Sequence, residues 1–401
     1  MKKSIKLSAL LITILLSLVT LTNCSSGGSS AEDTTGSVAE DTTSSVAEDT
    51  ASNTTESAEQ VGLRVVIVTS PSGVDDGSFN QDNYNGILSF VEKNPSTSVK
   101  SIQETDISAA IPAVGNVLAD YDVIVTPGFQ FADISQFAEE NPEKKFILID
   151  TFPNPIDEKE VFDNIYAMTF AEEESGFFAG IAAALETETG KVAVVNGIAY
   201  PSNVNYQYGF ESGVVYSNKH FGTTAEIIEL PSYAGTDVTN ANVGGNYIGD
   251  FNDESTGKVV GDALINEGCD IIFVAAGASG NGVFTAAKEA GNVKVIGCDV
   301  DQFDDGKSGN INVVLTSVLK VMHLGVKRAL DSIQNGTFKG SNELLHADTD
   351  STGFVKANGR HQLKPETIEK LDEVYELVKN KTITPASNFS EFTFENFPGL
   401  D

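Results

Sequence analysis

Cysteine and histidine are scarce in this chain of 401 residues. The three cysteines, Cys24, Cys269 and Cys298, are too few for a disulfide framework, and no CxxC motif or Cys/His cluster indicates zinc. The four histidines are scattered and fit no recognisable Ser/His/Asp arrangement. We therefore expect a protein that is not an enzyme and that carries no metal or cofactor.

Positive charge is scarce as well. Lys and Arg number 25 against 57 Asp and Glu, which gives a formal net charge of -32. Such a surface repels phosphate backbones and anionic head groups, so we expect no nucleic-acid partner. The length exceeds what one hydrophobic core usually serves, and 40% apolar residues with 36 glycines fit a globular α/β chain of two lobes.

The N-terminus has the composition of an export signal. Three lysines precede the apolar run 7–21, which is too short for a resident membrane helix. We predict a lipoprotein signal peptide over residues 1–23, because Leu21-Thr22-Asn23-Cys24 resembles a bacterial lipobox in which the Cys24 thiol is lipidated. Asn23 departs from the usual Gly, Ala or Ser. The alternative is a plain signal peptide followed by a spare thiol.

The next segment has the composition of an unfolded tether. Residues 25–60 contain no aromatic side chain and repeat Ala-Glu-Asp-Thr with a period of eight from Ala31. Such a sequence cannot bury enough apolar area to offset the entropy lost on ordering. We predict a disordered acidic tether over residues 24–61.

From Arg64 onward, apolar runs alternate with stretches of helical period. Two series of buried strands are predicted: 65–69, 99–103, 122–126, 145–150 and 166–170, then 192–197, 226–230, 271–276, 293–298 and 313–317. Near-continuous Val/Ile runs separated by helices are typical of parallel sheets covered on both faces. The fold class is therefore α/β, with two Rossmann-like lobes.

Polar and aromatic residues follow several of these strands, where ligands bind in open parallel sheets. Residues 75–81 read Asp-Asp-Gly-Ser-Phe-Asn-Gln, in which Asp76, Ser78 and Asn80 are equally consistent with a helix cap. Phe79, Phe129 and Phe251 each lie in a polar turn, which indicates a stacking slot, although each alone is consistent with a core residue.

Other features have structural explanations. Residues 277–282 are glycine-rich, but no Lys-Ser/Thr follows, so they are not a P-loop. The acidic run 172–174 suits a helix start. Cys269 begins a predicted strand and Cys298 ends one, so both are expected to be free and buried. The helix predicted over 366–379 has one apolar face that packs on a lobe.

Several motifs in order across both lobes resemble one family. They are the segment 75–81, Thr169-Phe170 with 172–180, Ala-Gly-Ala-Ser-Gly-Asn-Gly at 276–282, Ile-Gly-Cys-Asp-Val-Asp-Gln at 296–302 and Thr-Ser-Val-Leu-Lys at 316–320. The chain is similar over about residues 62–345 to the basic membrane protein family, nucleoside-binding lipoproteins of ABC importers. This resemblance implies the type I periplasmic-binding fold.

The resemblance also implies roles for single residues. Phe79 and Phe251 would sandwich a nucleobase from opposite lobes, and Asp299 with Lys320 would hold the ribose, helped by the backbone of Gly277. A structural ion pair between Asp299 and Lys320 is the alternative. The expected ligand-binding set is completed by Asp76, Asn80, Phe129 and Asp150.

The base edge leaves the preferred nucleoside open. Many family members carry Asp where this chain has Ser70, which can donate or accept a hydrogen bond but carries no charge.

In the implied fold the chain crosses between the lobes near residues 170–173 and 316–320 and after about 348. We expect lobe 1 to comprise residues 62–171 and about 318–348, and lobe 2 to comprise 172–317 and about 349–401. The expected function is capture of purine nucleosides, by closure of the lobes, for a membrane permease. The protein would be anchored through Cys24 on the extracytoplasmic side of a bacterial cell membrane. The alternatives are a ribose or autoinducer-type sugar receptor and an adhesion or immunogenic lipoprotein without a small ligand.

Overall fold

The structure is a computed structural model that describes residues 62–401. The predicted signal peptide, the lipidation site Cys24 and the predicted tether lie outside the described residues.

The described residues alternate strands and helices along the chain. The strands are β1 Arg64–Thr69, β2 Ser98–Gln103, β3 Val123–Pro127, β4 Lys145–Ile149, β5 Ile165–Phe170, β6 Lys191–Asn196, β7 Glu226–Ile227, β8 Gly235–Thr236, β9 Asn242–Gly244, β10 Ile271–Ala275, β11 Lys294–Gly297, β12 Lys307–Ser308, β13 Ile311–Asn312, β14 Val314–Lys320, β15 Ser341–Leu345 and β16 Thr352–Phe354. The α-helices are α1 Phe79–Val91, α2 Ala110–Val117, α3 Ser135–Glu140, α4 Glu172–Glu186, α5 Pro201–His220, α6 Glu254–Asn266, α7 Gly280–Ala290, α8 Met322–Gln334 and α9 Pro365–Lys379.

The first lobe is built on a six-stranded parallel sheet in the order β15-β5-β4-β3-β1-β2. Alternate residues of β1 enter different cores, Val65 and Ile67 on one face and Val66 and Val68 on the other. Both faces are therefore covered, which explains why the strand sequence is apolar throughout.

The second lobe repeats this plan with a sheet in the order β16-β14-β11-β10-β6-β7. All its pairs are parallel except β14 with β16, which is antiparallel. Its two faces are covered by separate apolar clusters around Phe273 and Ile272. The two sheets confirm the expected α/β fold, and each of the ten predicted strands is present, although the strand expected over 226–230 has only two residues.

The chain passes between the two sheets three times. It leaves the first sheet at the end of β5 and enters α4, returns from β14 into α8, and passes from β15 to β16. We therefore propose the same division into lobes that the sequence indicates, because the segment containing α8 and β15 belongs with the first sheet and β16 with the second.

Helices α4 and α5 pack with their backbones almost in contact. A Cβ atom added to Gly176, Gly180, Gly209 or Gly213 would lie between 2.1 and 2.4 Å from a backbone oxygen of the facing helix. Only glycine allows this approach. The contact holds α5 against α4, and α4 is joined to β14 because the Ser175 hydroxyl donates to the Leu319 carbonyl at 2.7 Å.

The C-terminal segment packs on the second lobe. The predicted helix over 366–379 is present as α9, with Leu371 and Val374 in the core. Beyond it, the Phe397 ring meets the Phe177 ring edge-on at 5.8 Å. Cys269 and Cys298 are both buried and free, as expected.

Candidate functional site

A cavity between the two lobes lies at the carboxyl ends of the strands. It holds about 600 Å³ of atom-free space, counting the part open to solvent. All nine residues expected to bind ligand line it: Asp76, Phe79, Asn80, Phe129 and Asp150 from the first lobe, Phe251, Gly277 and Asp299 from the second, and Lys320 from the end of β14, where the chain crosses between the lobes. The structure thus brings together residues that are up to 244 positions apart in the sequence.

The loop before α1 is organised by Asp76. Its buried carboxylate accepts hydrogen bonds from the backbone N–H groups of Ser78, Asn80 and Gln81 at 2.9 to 3.0 Å. Burial raises the pKa of Asp76 to about 6, although these N–H groups oppose the rise. The helix cap that the sequence left open is therefore present, and it belongs to Asp76, while the same residue also lines the cavity.

Aromatic rings from both lobes meet at the cavity. Tyr200 lies between Phe129, at a centroid distance of 5.4 Å, and Phe251, at 5.9 Å. The Phe251 ring rests on the backbone of Gly197, where an added Cβ would lie 2.3 Å from two ring carbons. Gly277, at a φ of 54°, places its backbone beside Phe251 as well. Glycines therefore set the position of the Phe251 ring.

Asn80 lines the cavity and has one acceptor without a partner. Its Nδ2 donates to the Ser70 Oγ at 3.0 Å. Its Oδ1 is buried and has no hydrogen-bond partner among the described residues. Because an unpaired buried oxygen costs about 1–3 kcal/mol, a ligand that donates a hydrogen bond here would recover that free energy.

Lys320 is the buried cation of the site. Its side chain is 2% exposed, and its Nζ contacts Asp150 Oδ1 and lies 2.9 Å from Glu172 Oε1. Burial lowers the pKa of Lys320, but the carboxylates of Asp150, Glu172 and Asp299 outweigh it, so that the pKa is raised. The ammonium therefore stays charged, and it also lies 5.1 Å from the centroid of the Phe79 ring.

Asp299 faces the same cavity from the end of β11 in a left-handed conformation, with a φ of 67°. Its Oδ1 accepts from the Tyr206 hydroxyl and its Oδ2 from the Ser78 hydroxyl, both at 2.8 Å. Lys320 makes its side-chain ion pairs with Asp150 and Glu172 and gives Asp299 only a backbone hydrogen bond. Lys320 therefore forms its side-chain ion pairs with other carboxylates, and the structural ion pair between Asp299 and Lys320 that the sequence left as an alternative is not formed.

Hydrogen bonds join the lobes across the cavity. Ser78 Oγ of the first lobe donates to Asp299 of the second, and Ser72 Oγ donates to the Phe251 carbonyl at 3.0 Å. Gln302 Nε2 donates to the Gly77 carbonyl at 3.4 Å. The two lobes are therefore closed on each other.

Among the residues of the site that the sequence did not predict, Tyr200, Tyr206 and Glu172 make the contacts described above. Tyr200 follows β6 directly and precedes Pro201, so its place after a strand could have identified it. Tyr206 lies inside α5, where an aromatic residue is indistinguishable from a core residue. Glu172 was expected only to stabilise a helix start, but it also pairs with Lys320.

Two α/β lobes, joined by three crossings and closed over one cavity, define a two-lobed solute-binding protein of the type I periplasmic-binding class. The solved structures of ABC transporter solute-binding proteins from Aeropyrum pernix and Conexibacter woesei share this fold, with TM-scores of 0.68 and 0.59 at 20% and 18% identity. Each alignment covers 82% of this chain, and 94% and 100% of the respective neighbour.

The chain belongs to the Bmp family, described as ABC transporter substrate-binding protein PnrA-like, whose family model matches residues 63–230 and 234–388. A relative from Listeria monocytogenes, a CD4+ T-cell-stimulating antigen, is 28% identical over 77% of this chain and 84% of its own length. The ABC transporter nucleoside-binding protein BmpA of Lactococcus lactis is 29% identical over 71% of this chain and 79% of its own length.

The family confirms that the protein binds a substrate for transport and is not an enzyme. Substrate-binding proteins of ABC transporters work with a membrane permease on the extracytoplasmic side of the membrane. In residues 62–401, no helix has both the length and the hydropathy needed to cross a bilayer.

Proposed function

We propose that this protein captures purine nucleosides between its lobes and delivers them to the permease of an ABC importer. The observation that carries the proposal is the convergence of nine residues from both lobes on one cavity that combines aromatic rings, a buried ammonium and three carboxylates. The name of the Lactococcus relative, a nucleoside-binding protein, supports the same ligand class.

The aromatic part of the cavity suits a flat heterocycle. Phe79 on the first lobe and Phe251 on the second would stack on opposite faces of the base, and each face would contribute about 1–3 kcal/mol by analogy with stacking in nucleic-acid sites. Asn80 Oδ1 would accept a hydrogen bond from the edge of the base. A free sugar lacks both interactions.

The charged part suits a ribose. Asp299 Oδ2 accepts one hydrogen bond, from Ser78, and Oδ1 accepts one from Tyr206 and a weak one from the Cys298 thiol. The carboxylate would accept further hydrogen bonds from vicinal hydroxyls, while Lys320 would donate to a sugar oxygen. The same negative field disfavours phosphorylated ligands, so nucleosides would bind better than nucleotides. For the protein as a whole, we propose lipid anchoring through Cys24.

Calorimetric titration of the purified full chain with adenosine, guanosine, inosine and ribose tests this proposal. We expect one-to-one binding of at least one nucleoside, no heat with ribose, and loss of binding in Asp299→Ala. The matched control is Asp304→Ala, because Asp304 is exposed, lies five residues further on and does not line the cavity. Binding of ribose instead would favour a sugar receptor, and no heat with any of the four would overturn the proposal.

A further inference from the structure

A second cavity lies on the second lobe, holds about 950 Å³ of atom-free space, counting the part open to solvent, and shares no lining residue with the cleft between the lobes. One wall is α5, with Gln207, Tyr208 and Glu211, and another is formed by Glu229 and by Asn242 and Val243 of β9. The C-terminal segment closes it with Ser387, Asn388 and residues 390–394. This segment is the part of the chain to which the transport function assigns no role.

The lining combines negative charge with aromatic rings. It contains the carboxylates of Glu211, Glu229 and Glu391 and the rings of Tyr208, Phe392 and Phe394. Lys, Arg and His are absent from this set of lining residues. Carboxylates attract a cation, and aromatic faces stabilise one that has shed part of its water.

Burial and a hydrogen bond hold the Glu211 side chain in a fixed position. The residue is only 4% exposed, and its Oε1 accepts a hydrogen bond from Gln207 Nε2 at 2.8 Å. Gln207 is fixed in turn, because its Oε1 accepts from the Tyr247 hydroxyl and its Nε2 also donates to the Val243 carbonyl. Glu211 therefore presents a carboxyl group in a fixed position at the wall of the cavity.

The arrangement of the carboxylates favours an organic cation over a metal ion. Among the described residues, no group of three or more His, Cys, Asp or Glu side chains converges closely enough to hold a metal. Hard divalent cations need such converging oxygens, whereas a planar or methylated cation fits carboxylates spread among rings. We infer that this cavity is a second binding site, which takes an organic cation such as a guanidinium or quaternary ammonium group.

The protonation of Glu211 gives this site a pH signature. Burial raises the pKa of Glu211 to about 8; the Gln207 hydrogen bond opposes the rise and the charge of Glu229 adds to it. Tyr247, Tyr208 and Asp237 are the other titratable groups nearby, and Tyr247 and Tyr208 are neutral below pH 9, because burial raises their pKa.

A bound cation favours the ionised carboxylate, so below pH 8 binding must release a proton. Affinity should therefore rise with pH, by up to about tenfold per unit below the pKa.

Titration calorimetry of the purified full chain with methylguanidinium and tetramethylammonium tests the inference, because neither probe titrates between pH 6 and 9. We expect at least one of them to bind, with affinity that rises from pH 6 to pH 9. Glu211→Gln should bind about as the wild type does at pH 6, at least tenfold more weakly at pH 9, and without the pH dependence. Glu226→Gln removes an exposed charge from β7 outside the cavity and should match the wild type at every pH.

Two further measurements keep the result interpretable. Inosine binding in the cleft reports whether Glu211→Gln is folded. Glu391→Gln changes an exposed residue at the rim of the second cavity, and it should weaken binding of the organic cation while leaving inosine binding unchanged. The inference does not depend on nucleoside binding, since circular dichroism reports folding even if inosine does not bind. It is overturned if neither cation binds, if Glu226→Gln loses as much affinity as Glu211→Gln, or if Mg²⁺ or Ca²⁺ displaces the organic cation.

Discussion

Replacing Lys320 with Met should destabilise the protein more than replacing any exposed lysine. Lys320 Nζ is buried and contacts the buried carboxylates of Asp150 and Glu172, and methionine of similar length would leave both without their cation. Removing one partner of a buried pair typically costs about 3–5 kcal/mol. The matched control is Lys307→Met, because the Lys307 side chain is 60% exposed and exposed ion pairs contribute at most about 1 kcal/mol.

The loss in Lys320→Met should also depend on pH. Burial raises the pKa of Asp150, and the charge of Lys320 opposes that rise, so removing Lys320 raises this pKa further. A carboxyl whose pKa is higher in the folded state stabilises the fold only while it is protonated, and that stability is lost as the pH rises through the folded-state pKa. The difference from wild type should therefore be largest at pH 8 and smaller at pH 5.

Urea unfolding of both variants at these two pH values measures the difference in free energy of unfolding. A loss in Lys320→Met that equals the loss in Lys307→Met, or one that is the same at pH 5 and pH 8, would refute the account of a buried cation held by two carboxylates.

Two further predictions concern packing and charge elsewhere. Gly197→Ala should displace the Phe251 ring and weaken nucleoside binding by about 5- to 150-fold, which corresponds to the loss of one stacking face. The control Gly353→Ala should bind as wild type does in the same titration, because its added Cβ would lie at an ordinary contact distance of 3.5 Å from the Tyr375 ring. The hydrogen bond with Asp82 raises the pKa of His323, so its contribution to stability is present below its unfolded pKa and is lost as pH rises through the folded value. The melting temperature should fall less between pH 6 and pH 8 in His323→Asn, and an unchanged slope would contradict this assignment.

Most of the ten strands could be predicted because a strand covered on both faces must be apolar at nearly every position, whereas β2 and β7 are partly exposed strands at the edges of their sheets. The site could be located for a related reason, since the carboxyl ends of parallel strands meet at one edge and the residues after them must converge. The motif containing Phe79 and the loop containing Phe251 are visible as aromatics in polar turns. The prediction that both rings line one cavity came from the family resemblance, because the sequence pattern alone does not indicate it.

The parts that could not be predicted depend on tertiary contacts. Edge strand β15 is half-exposed and polar, and β16 has only three residues, so neither has the signature of a buried strand. The pairing of Glu172 with Lys320 depends on the packing of α4 against α5, where Asn205 Nδ2 donates to Glu172 Oε2 at 3.0 Å, and this contact has no signature in the sequence. The second cavity depends on where residues 387–394 pack, and their sequence has no period.

The order of the strands has a consequence for how the chain acquires its shape as it emerges from the ribosome. Strand β15 and helix α8 complete the first lobe, so that lobe stays unfinished until Leu345 has been synthesised, long after β1 to β5. The sheet of the second lobe stays unfinished until Phe354 has been synthesised. A fragment that stopped at Phe170 would expose the apolar surface that α8 covers, and neither half can be produced as an uninterrupted piece of the polypeptide. Closure of each lobe between segments so far apart in the sequence slows folding.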